Sequence, residues 1–269
     1  MASDWLQNNG IQPLLPDEQA VILGVPGSGC DKNEVVAQSD LLLVLGGDGT
    51  LLNAAHTPLI ENVPILAINL GYLGFLTEVS LDELYPALTN ILNGNYEIDE
   101  RMMLEINVDN PDLQNAGSLA LNDIVIRHYA GLIELDTYID SERFITYHAD
   151  GLIIATPSGS TGYSLSSGGT IVEPHLNAIL LTPIAPHSLT VRPFIAHGDS
   201  EINVVMRSDY SSVDLFVDGS RETHSLAPAC LIRVRKAKET IKLIRSQRRS
   251  YYKVLRTKLM LGEGTKRKT

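Results

Sequence analysis

The sequence predicts an α/β domain followed by an all-β domain. Residues 41–45 are all apolar and predict a strand, and the glycine-rich stretch after them leads into a helical pattern. A second apolar run at 63–69 and a helical stripe at 81–92 repeat this alternation, which is typical of α/β layer structures. From Tyr96 onward, short runs with period-two alternation replace the helical pattern, as in all-β domains.

Composition indicates an ordinary soluble protein of one large domain or two modest ones. The 269 residues are 44 % hydrophobic and 20 % charged. No apolar run approaches the ~18 residues of a membrane span, and no signal peptide pattern opens the chain. Cys30 and Cys230 are too few for a disulfide framework. We expect a cytoplasmic protein that does not bind membranes.

Charge is unevenly distributed along the chain. The net charge of −11 argues against nucleic-acid binding, yet residues 233–269 carry 14 Lys and Arg against two acids. This basic segment either docks on the acidic body or faces the phosphates of a nucleotide. We predict domains at 1–96 and 97–246, with residues 247–269 packing back on the first domain.

The first forty residues predict short elements. Residues 1–10 resemble the end of a helix closed by Gly10, and 21–25 predict a short strand. Residues 26–29 have turn chemistry and form either a plain turn or a second phosphate loop. A short helix is predicted at 34–39.

The stretch 46–52, Gly-Gly-Asp-Gly-Thr-Leu-Leu, organises the chain. A strand buried on both faces, a glycine turn and a helix start together form an anion site, because free N–H groups and the helix dipole face the ligand. Asp48 would repel phosphate unless it binds a metal or accepts a proton, which indicates phosphoryl transfer. The alternative is a tight turn with a capping aspartate.

The next stretches complete the α/β domain. After the strand at 63–69, a glycine-hinged loop at 69–77 lies where open α/β sheets bind ligands, although Phe75 could equally serve packing. Ser80 and Glu83 predict a capping box for the helix at 81–92, which Gly94 closes.

The later chain predicts strands and three chemical stretches. Strand-like runs occur at 104–108, 119–127, 132–139, 143–147, 151–156, 178–182, 192–196, 201–207, 212–217, 230–235 and 239–245, with Asp218-Gly219 as a hairpin turn. Asn122-Asp123 is either turn chemistry or a pair that binds ribose hydroxyls or an adenine edge. His148-Ala149-Asp150 is either a solvated loop or part of a site. The hydroxyl-rich run 156–169 is either a linker or a nucleotide-binding loop, in which Tyr163 could stack on a base.

Together these stretches resemble the NAD kinase family, the ATP-dependent enzymes that phosphorylate NAD to NADP. The resemblance extends to 181–189, Arg192-Pro193, Asp218-Gly219 and the closing stretch 255–259, and so covers nearly the whole chain. Gly-Gly-Asp-Gly-Thr alone is shared with diacylglycerol and sphingosine kinases. Its combination with 156–169 and Pro-His-Ser-Leu is specific to the family.

The resemblance implies roles for particular residues. Asp48 would accept the proton of the adenosine 2′-hydroxyl of NAD, and the first domain would supply the ATP phosphate site. The implied nucleotide-binding residues are Gly46, Gly47, Gly49, Thr50, Phe75, Asn122, Asp123, His148, Asp150, Thr161, Gly162, Tyr163, Ser164, Leu165, Ser166 and Ala185. Mg²⁺ or another divalent cation is expected, without assigned ligands, as is a homo-oligomer, either a homotetramer or a homodimer.

The resemblance also implies a Rossmann-like first domain that is truncated at its start. The family begins with a strand and most of a helix that are missing before Ala2, so either the start codon is misplaced or the edge of the sheet is truncated. Asp123 stands where glutamate is common, Gly162 replaces a usual alanine, and Ser220 replaces a usual glutamine. Two rival functions are a lipid kinase with the same glycine–aspartate motif and a non-catalytic NADP-sensing module.

Overall fold

The structure is a computed structural model that describes residues 2–25, 27–57, 60–109, 118–129, 131–207, 213–219, 224–226, 229–245 and 249–261. Two compact units emerge from the packing of the chain. The first unit comprises Met1–Ile98 and Lys242–Thr269, and the second unit comprises Asp99–Ile241.

The first unit contains a small parallel sheet and several helices. Strand β2 (Ile65–Asn69) pairs in parallel with β1 (Leu42–Leu45) and with β3 (Val79–Ser80). The helices are α1 (Ala2–Asn8), α2 (Asp17–Ile22), α3 (Lys32–Ala37), α4 (Asp48–Ala55), α5 (Leu84–Leu92) and α7 (Tyr251–Leu259), with 3₁₀ turns at Ile60–Asn62 and Leu81–Glu83. This confirms the predicted α/β class.

Local sequence explains the helix bounds. Ser80 and Glu83 form the predicted capping box, with the Ser80 N–H donating to Glu83 at 3.0 Å, and Gly94 follows α5 with a φ of +72°. The apolar stripe of α5 packs with Leu66 and Ile68 of β2 in one buried cluster, and Trp5 of α1 lies against it. The predicted helix end at 1–10 is confirmed by α1.

Two predictions for the first unit are wrong. Residues 21–25 do not form a strand: Val21 and Ile22 end helix α2, which begins after Pro16 with Asp17 and Glu18 in its first turn. Their side chains are 64 % and 81 % exposed, so strand pairing does not bury this apolar run. β1 is also not buried on both faces, since Leu45 is 44 % exposed. The predicted loop at 26–29 starts at Pro26, which lies outside the described residues.

The second unit is built from two antiparallel sheets. In one sheet, the order of neighbouring strands is β11 (Phe194–His197), β10 (Ala178–Ile184), β9 (Gly151–Ala155), β6 (Asp123–Arg127), β13 (Val213–Val217) and β14 (His224–Leu226). The other contains β15 (Leu231–Ile244), β12 (Ile202–Met206), β7 (Ile133–Ile139) and β8 (Glu142–Ala149), with β4 (Ile98–Val108) beside β15 and β5 (Ser118–Ala120) beside β4.

β9 and β6 lie at the centre of the first of these sheets and are buried on both faces. Leu152 and Ile154 of β9 face the main core, whereas Ile153 and Ala155 belong to a second cluster with Val172. This two-sided burial explains why 151–155 is apolar at every position except Gly151. The chain from 156 to 172 follows β9 and carries Tyr163 against the second cluster.

Two further predictions are corrected in the second unit. The runs 230–235 and 239–245 are one continuous strand, β15, because polar residues between them alternate with buried ones. The stretch 156–169 is not all loop, since it contains a 3₁₀ turn at Ser158–Thr161 and the short helix α6 (Tyr163–Ser166). No helix among the described residues is long and apolar enough to cross a membrane.

The basic C-terminal segment has specific partners in the first unit. Arg249 donates to the hydroxyl of Ser80 and lies 3.0 Å from the Glu83 carboxylate. Burial opposes ionisation of Glu83, but the hydroxyl and N–H of Ser80 and the charge of Arg249 lower the pKa of its carboxyl. Ser250 caps α7 by accepting from the Lys253 N–H.

Candidate active site

The glycine turn leads β1 directly into α4. Gly47 is the N-cap of α4, and the N–H groups of Thr50 and Leu51 donate to its carbonyl. A Cβ at position 46 would collide with the Thr50 side chain, so only glycine fits there. Gly47 and Gly49 are exposed, with open space where a Cβ would stand. This leaves the backbone of the turn accessible to an anion at the N-terminus of α4.

Asp48 is held by the loop that follows β2. Its Oδ1 accepts from the N–H groups of Leu76 and Thr77 at 3.1 and 3.0 Å and from the Thr77 hydroxyl at 2.9 Å. Among the residues that the structure describes, its Oδ2 accepts from the Phe75 N–H alone, at 2.8 Å. The carboxylate is therefore fixed in orientation, with its remaining acceptor capacity on Oδ2.

The loop itself is organised by Asn69 at the end of β2. The Asn69 amide donates to Thr77 Oγ1 at 2.9 Å and to the Tyr72 carbonyl, and its oxygen accepts from the Gly71 N–H. A Cβ at position 74 would collide with the Asp48 carboxylate and the Thr77 hydroxyl. Gly74 thus permits the close approach of the loop to Asp48.

Phe75 has two neighbours of opposite charge. Its N–H binds Asp48, and the ammonium of Lys258 in α7 lies 5.0 Å from the centroid of its ring. A cation at this distance from an aromatic face is attracted by the ring quadrupole. α7 therefore brings a positive charge to the loop that orients Asp48.

In the second unit, the backbone of the 121–123 turn is bonded on both sides. The carboxylate of Asp218 accepts from the N–H groups of residues 121, 122 and 123. Thr156 donates its hydroxyl to the Leu121 carbonyl at 2.6 Å and its N–H to the Asn122 carbonyl at 2.9 Å. Gly159 passes so close to the Asn122 carbonyl oxygen that a Cβ there would collide with it.

The side chains of this turn have unusual environments. Asn122 Oδ1 is buried and has no hydrogen-bond partner among the described residues, which leaves an acceptor for a ligand. Asp123 is 4 % exposed. Burial first, and then the charge of Asp218, raise the pKa of Asp123 to about 7, against the lowering effect of the Tyr163 N–H.

Several hydroxyls of the 158–166 segment are used by the fold. Buried Arg101, paired with Asp99, donates to Ser158 at 3.1 Å, and the Ser164 hydroxyl bonds Thr182 at 2.8 Å. The Ser164 side chain is buried, and this bond uses part of the capacity of its hydroxyl. The predicted residues Thr161, Gly162 and Leu165 are half-buried, and Ser166 is exposed.

Tyr163 joins the two ends of β6. Its N–H donates to Asp123, at the start of the strand, and its hydroxyl accepts from Arg127 Nη1, at the end of the strand, at 2.7 Å. The Arg127 guanidinium also lies 4.6 Å from the Tyr129 ring centroid. The Tyr163 ring is consequently held along the sheet by its neighbours.

The remaining predicted residues lie at the other end of β9. The Asp150 N–H donates to the Ile184 carbonyl, and the His148 carbonyl accepts from the His187 N–H. These bonds bring Asp150 and His148 beside Ala185, which has a left-handed φ of +43°. His148 is half exposed and its Nδ1 is 3.5 Å from Glu134. At ~3.3 Å per residue, β9 separates this group from the 121–123 turn by roughly 13 Å.

Sequence reasoning missed four contributors: Thr77, Gly74, Asp218 and Arg127. In the sequence, Asp218 is recognisable only as part of a hairpin turn, and no motif marks the other three residues. Their partners, which are Asp48, Tyr163 and the 121–123 turn, lie 26 to 97 positions away, so no local spacing identifies them. No group of three or more His, Cys, Asp or Glu side chains suited to a metal occurs in the part of the chain that the structure describes.

Family models match most of the chain. Residues 32–96 match the model described as the ATP-NAD kinase N-terminal domain, and residues 121–246 match the ATP-NAD kinase C-terminal domain. The NAD kinase of Moorella thermoacetica is 44 % identical over 96 % of this chain and 83 % of its own length. The NAD kinase of Geotalea daltonii is 42 % identical over 97 % of this chain and 92 % of its own length.

Solved structures agree with these matches. The crystal structure of yeast NADH kinase complexed with NADH has a TM-score of 0.81 and 31 % identity, covering 90 % of this chain and 72 % of that one. An NAD kinase from Archaeoglobus fulgidus in complex with ATP has a TM-score of 0.75 and 25 % identity, covering 94 % of this chain and 93 % of that one.

Proposed function

The chain belongs to the NAD kinase family, and from this premise we infer that it transfers the terminal phosphoryl group of ATP to the 2′-hydroxyl of the adenosine ribose of NAD. In this reaction the hydroxyl O–H bond breaks, a new O–P bond forms, and the bond from the terminal phosphorus to ADP breaks. The products are NADP, ADP and a proton. The observation that carries the assignment is relatedness across both units, to proteins named NAD kinase.

The accessible glycine turn supports an ATP phosphate site in the first unit. Gly47 and Gly49 have no side chain to keep a phosphate away, and Thr50 is exposed beside them. The N–H groups and dipole at the start of α4 favour negative charge there. Gly46 leaves room for the Thr50 side chain, and we assign it to the same phosphate-binding turn.

Asp48 is the residue we assign to proton transfer. A carboxylate within hydrogen-bond reach can orient a hydroxyl and take its proton. Three of its four bonds from the loop fall on Oδ1. Oδ2, with a single bond from Phe75, is the oxygen available to the 2′-hydroxyl. The attack of the hydroxyl on the terminal phosphorus and the departure of ADP then depend on how the two substrates are positioned and on neutralisation of the phosphate charge.

The dinucleotide is assigned to the second unit. Asn122 offers a buried acceptor without a partner, and Asp123 offers a carboxylate for ribose hydroxyls. The Tyr163 ring extends from this turn toward Arg127, and Thr161, Gly162, Leu165 and Ser166 lie beside it in sequence. His148, Asp150 and Ala185 form a second group at the far end of β9, so the two groups suit the two halves of a dinucleotide.

Asn122→Ala tests this assignment. We expect NAD binding to weaken by roughly 1–3 kcal/mol, because polar groups of the ligand lose their partner. The melting temperature without ligand should barely change, since the fold uses the backbone of Asn122 and not its side chain. Calorimetry that finds unchanged NAD affinity, or an apo protein that no longer folds, would contradict a role in NAD binding and would mean that Asn122 serves only the structure of the turn.

Mg²⁺ or another divalent cation is proposed to arrive with ATP. The carboxylate at the glycine turn, Asp48, already accepts four hydrogen bonds from its loop, so it is poorly suited to form a resident metal site. Phosphate oxygens would hold the ion, as is common for Mg²⁺ with nucleotides. The cation supplies neutralisation of phosphate charge.

We further propose a cytoplasmic homo-oligomer, either a homotetramer or a homodimer. The family resemblance supports it, as does an exposed aromatic pair in the second unit: the rings of Phe144 and Phe194 stand 4.6 Å apart, each nearly 40 % exposed. Light scattering after size-exclusion chromatography tests the assembly, and a monomer at micromolar concentration would contradict it.

The activity is tested by coupled detection of NADP from ATP, NAD and Mg²⁺. We expect turnover by the parent chain and its loss when either nucleotide is omitted. Binding of NADP without turnover would favour the non-catalytic NADP-sensing module. Sedimentation with liposomes, together with phosphorylation of a lipid, would favour the lipid kinase.

A further inference from the structure

Asp218 stands opposite the turn that we assign to NAD. It directly follows β13, whose last residue, Val217, pairs with Ile124 of β6. Its Oδ1 accepts from the N–H groups of Asn122 and Asp123 at 2.7 and 2.9 Å, and its Oδ2 accepts from the Leu121 N–H at 2.7 Å. Its own N–H donates to the Asp123 carbonyl at 2.9 Å.

These bonds leave the turn little conformational freedom. Asp218 satisfies three successive N–H groups, while Thr156 satisfies the carbonyls of Leu121 and Asn122. Asp218 adopts a left-handed φ of +47°, which an aspartate tolerates better than most residues. The direction of the Asn122 and Asp123 side chains is therefore set from outside the turn.

We propose that Asp218 is a positioning residue for the dinucleotide, which shapes the 121–123 turn and, by its charge, makes NAD affinity depend on pH near neutrality. This proposal rests on the proposed function, in which Asn122 and Asp123 bind NAD. Asp218 itself needs no contact with the substrate.

The charge effect acts through Asp123. Burial first, and then the negative charge of Asp218, together raise the pKa of Asp123 to about 7. The N–H of Tyr163 acts in the opposite direction. Among the described residues, no other charged group contributes to this pKa. Around pH 7 the carboxyl is thus about half ionised.

NAD affinity should follow this ionisation. The ionised carboxylate accepts hydrogen bonds from two ribose hydroxyls, whereas the protonated form has lost part of that capacity. If the ionised form binds, NAD affinity rises by roughly 10-fold between pH 6 and 8.5. Asp123→Asn removes the titrating group and should abolish this dependence.

Asp218→Asn separates shape from charge. An asparagine oxygen at the Oδ1 position keeps two of the three N–H bonds and loses the bond to Leu121, while all of the charge is removed. We expect NAD affinity at pH 8.5 to fall by roughly 5-fold, from the one unsatisfied donor. The midpoint of the pH dependence should move below that of the parent, because one of the two causes that raise the pKa of Asp123 is removed while burial remains. Parent and variant should therefore differ least at pH 6.

Asp140→Asn is the matched control. Asp140 also has a left-handed φ, +50°, and accepts from Ser200 and from the Glu201 N–H, but it lies in the β7–β8 turn. Its replacement removes the same charge and should leave the NAD profile unchanged. The Michaelis constant for ATP should stay within about two-fold of the parent value in both variants.

The measurement is calorimetric NAD affinity from pH 6 to 9, with folding checked by thermal unfolding. An Asp218→Asn midpoint equal to that of the parent, or a flat profile for the parent itself, overturns the proposal. If Asp218→Asn does not fold, Asp218→Glu is the second variant: it keeps the negative charge and should keep the midpoint of the parent while lowering NAD affinity, and unchanged NAD affinity in this variant overturns the positioning role. Failure of the proposed function would differ, because the parent would then neither bind NAD nor form NADP.

Discussion

At the scale of single residues, Asp48 combines two tasks that sequence alone did not separate. The glycine motif predicted its position, but not that the 75–77 loop supplies four hydrogen bonds to it. Those donors are 27 to 29 positions away, and their pairing depends on β1 and β2 lying side by side. Asp48 is therefore an anchor for the loop as well as our proposed proton acceptor.

Replacement of Asp48 by asparagine should abolish most of the activity. Asp48→Asn removes the negative charge, and its amide nitrogen cannot accept from the loop donors. We expect NADP formation to fall by at least ~10²-fold, the low end for loss of a general base. Single-turnover measurements with both substrates saturating test this, with Asp40→Asn as a control that removes an exposed charge in the same unit. A rate within a few-fold of the parent would leave Asp48 as a loop anchor, with Asp150 the next candidate for proton transfer.

Asp123 should make the apo protein less stable at higher pH. The pKa of its carboxyl is about 7 in the folded state, above the ordinary 3.8 of an aspartate, so the folded state favours the protonated form. This contribution is fully present below about pH 3.8 and is lost as pH rises through 7.

Asp123→Asn should therefore gain stability over the parent as pH increases. The gain should be small at pH 4 and on the order of 4 kcal/mol at pH 8. Thermal unfolding across this range measures it. Asp140→Asn should behave in the opposite way, because hydrogen bonds from Glu201 and Ser200 lower the pKa of Asp140. A constant difference between Asp123→Asn and parent at all pH values contradicts the prediction.

At the scale of elements, the loop between β2 and β3 is the part most sensitive to added volume. Gly74→Ala would force a methyl group into the Asp48 carboxylate and the Thr77 hydroxyl. We expect the turnover number to fall by at least ~10-fold, because misplacement of a reacting group by ~1 Å costs up to ~10²-fold.

Gly71→Ala provides the matched control in the same loop. Position 71 has open space for a Cβ and no left-handed φ, so this variant should retain nearly the parent rate. Steady-state kinetics on both variants tests the comparison. Equal activities would mean that the approach of the loop to Asp48 is not required for the reaction.

Elements were predictable where local signals were strong. The capping box at Ser80, the glycine ends of α1 and α5, and the alternation in the second unit all follow from short-range chemistry. The strand prediction for residues 21–25 was wrong because it followed the β-branched apolar run and not the helix that starts at Asp17. The prediction that β15 would be two separate strands was wrong, because its polar residues alternate with buried ones along a single strand.

At the scale of the whole molecule, the two units are assigned different substrates. The glycine turn of the first unit suits phosphates, whereas the 121–123 turn and Tyr163 of the second unit suit the dinucleotide. The change from helical patterns to period-two alternation near residue 96 predicted the boundary between an α/β domain and a β-rich domain. It could not predict which turns the distant Asp218 and Arg127 would stabilise, since those contacts exist only once the sheets form.

Hydrogen exchange should reveal this division of substrates. We expect ATP with Mg²⁺ to protect amides at 46–50, and NAD to protect amides at 121–123 and 158–166. Mass spectrometry of peptides covering these segments tests the pattern, and strand β12 (Ile202–Met206), which carries no assigned site residue, serves as an internal reference. Protection of the 46–50 segment by neither ligand would contradict the phosphate assignment.

The bonds of Asp218 also bear on how the protein is made. Asp218 follows Asp123 by 95 positions, so the nascent chain presents the turn long before its acceptor leaves the ribosome. At ~5–20 residues per second, this delay is about 5–20 s. Until then, three N–H groups of the turn lack their partner. If Asp218 positions the turn as we propose, we expect the turn to reach its NAD-binding conformation only after residue 218 has been made. A chain that stalls before that point lacks the carboxylate that orients the turn.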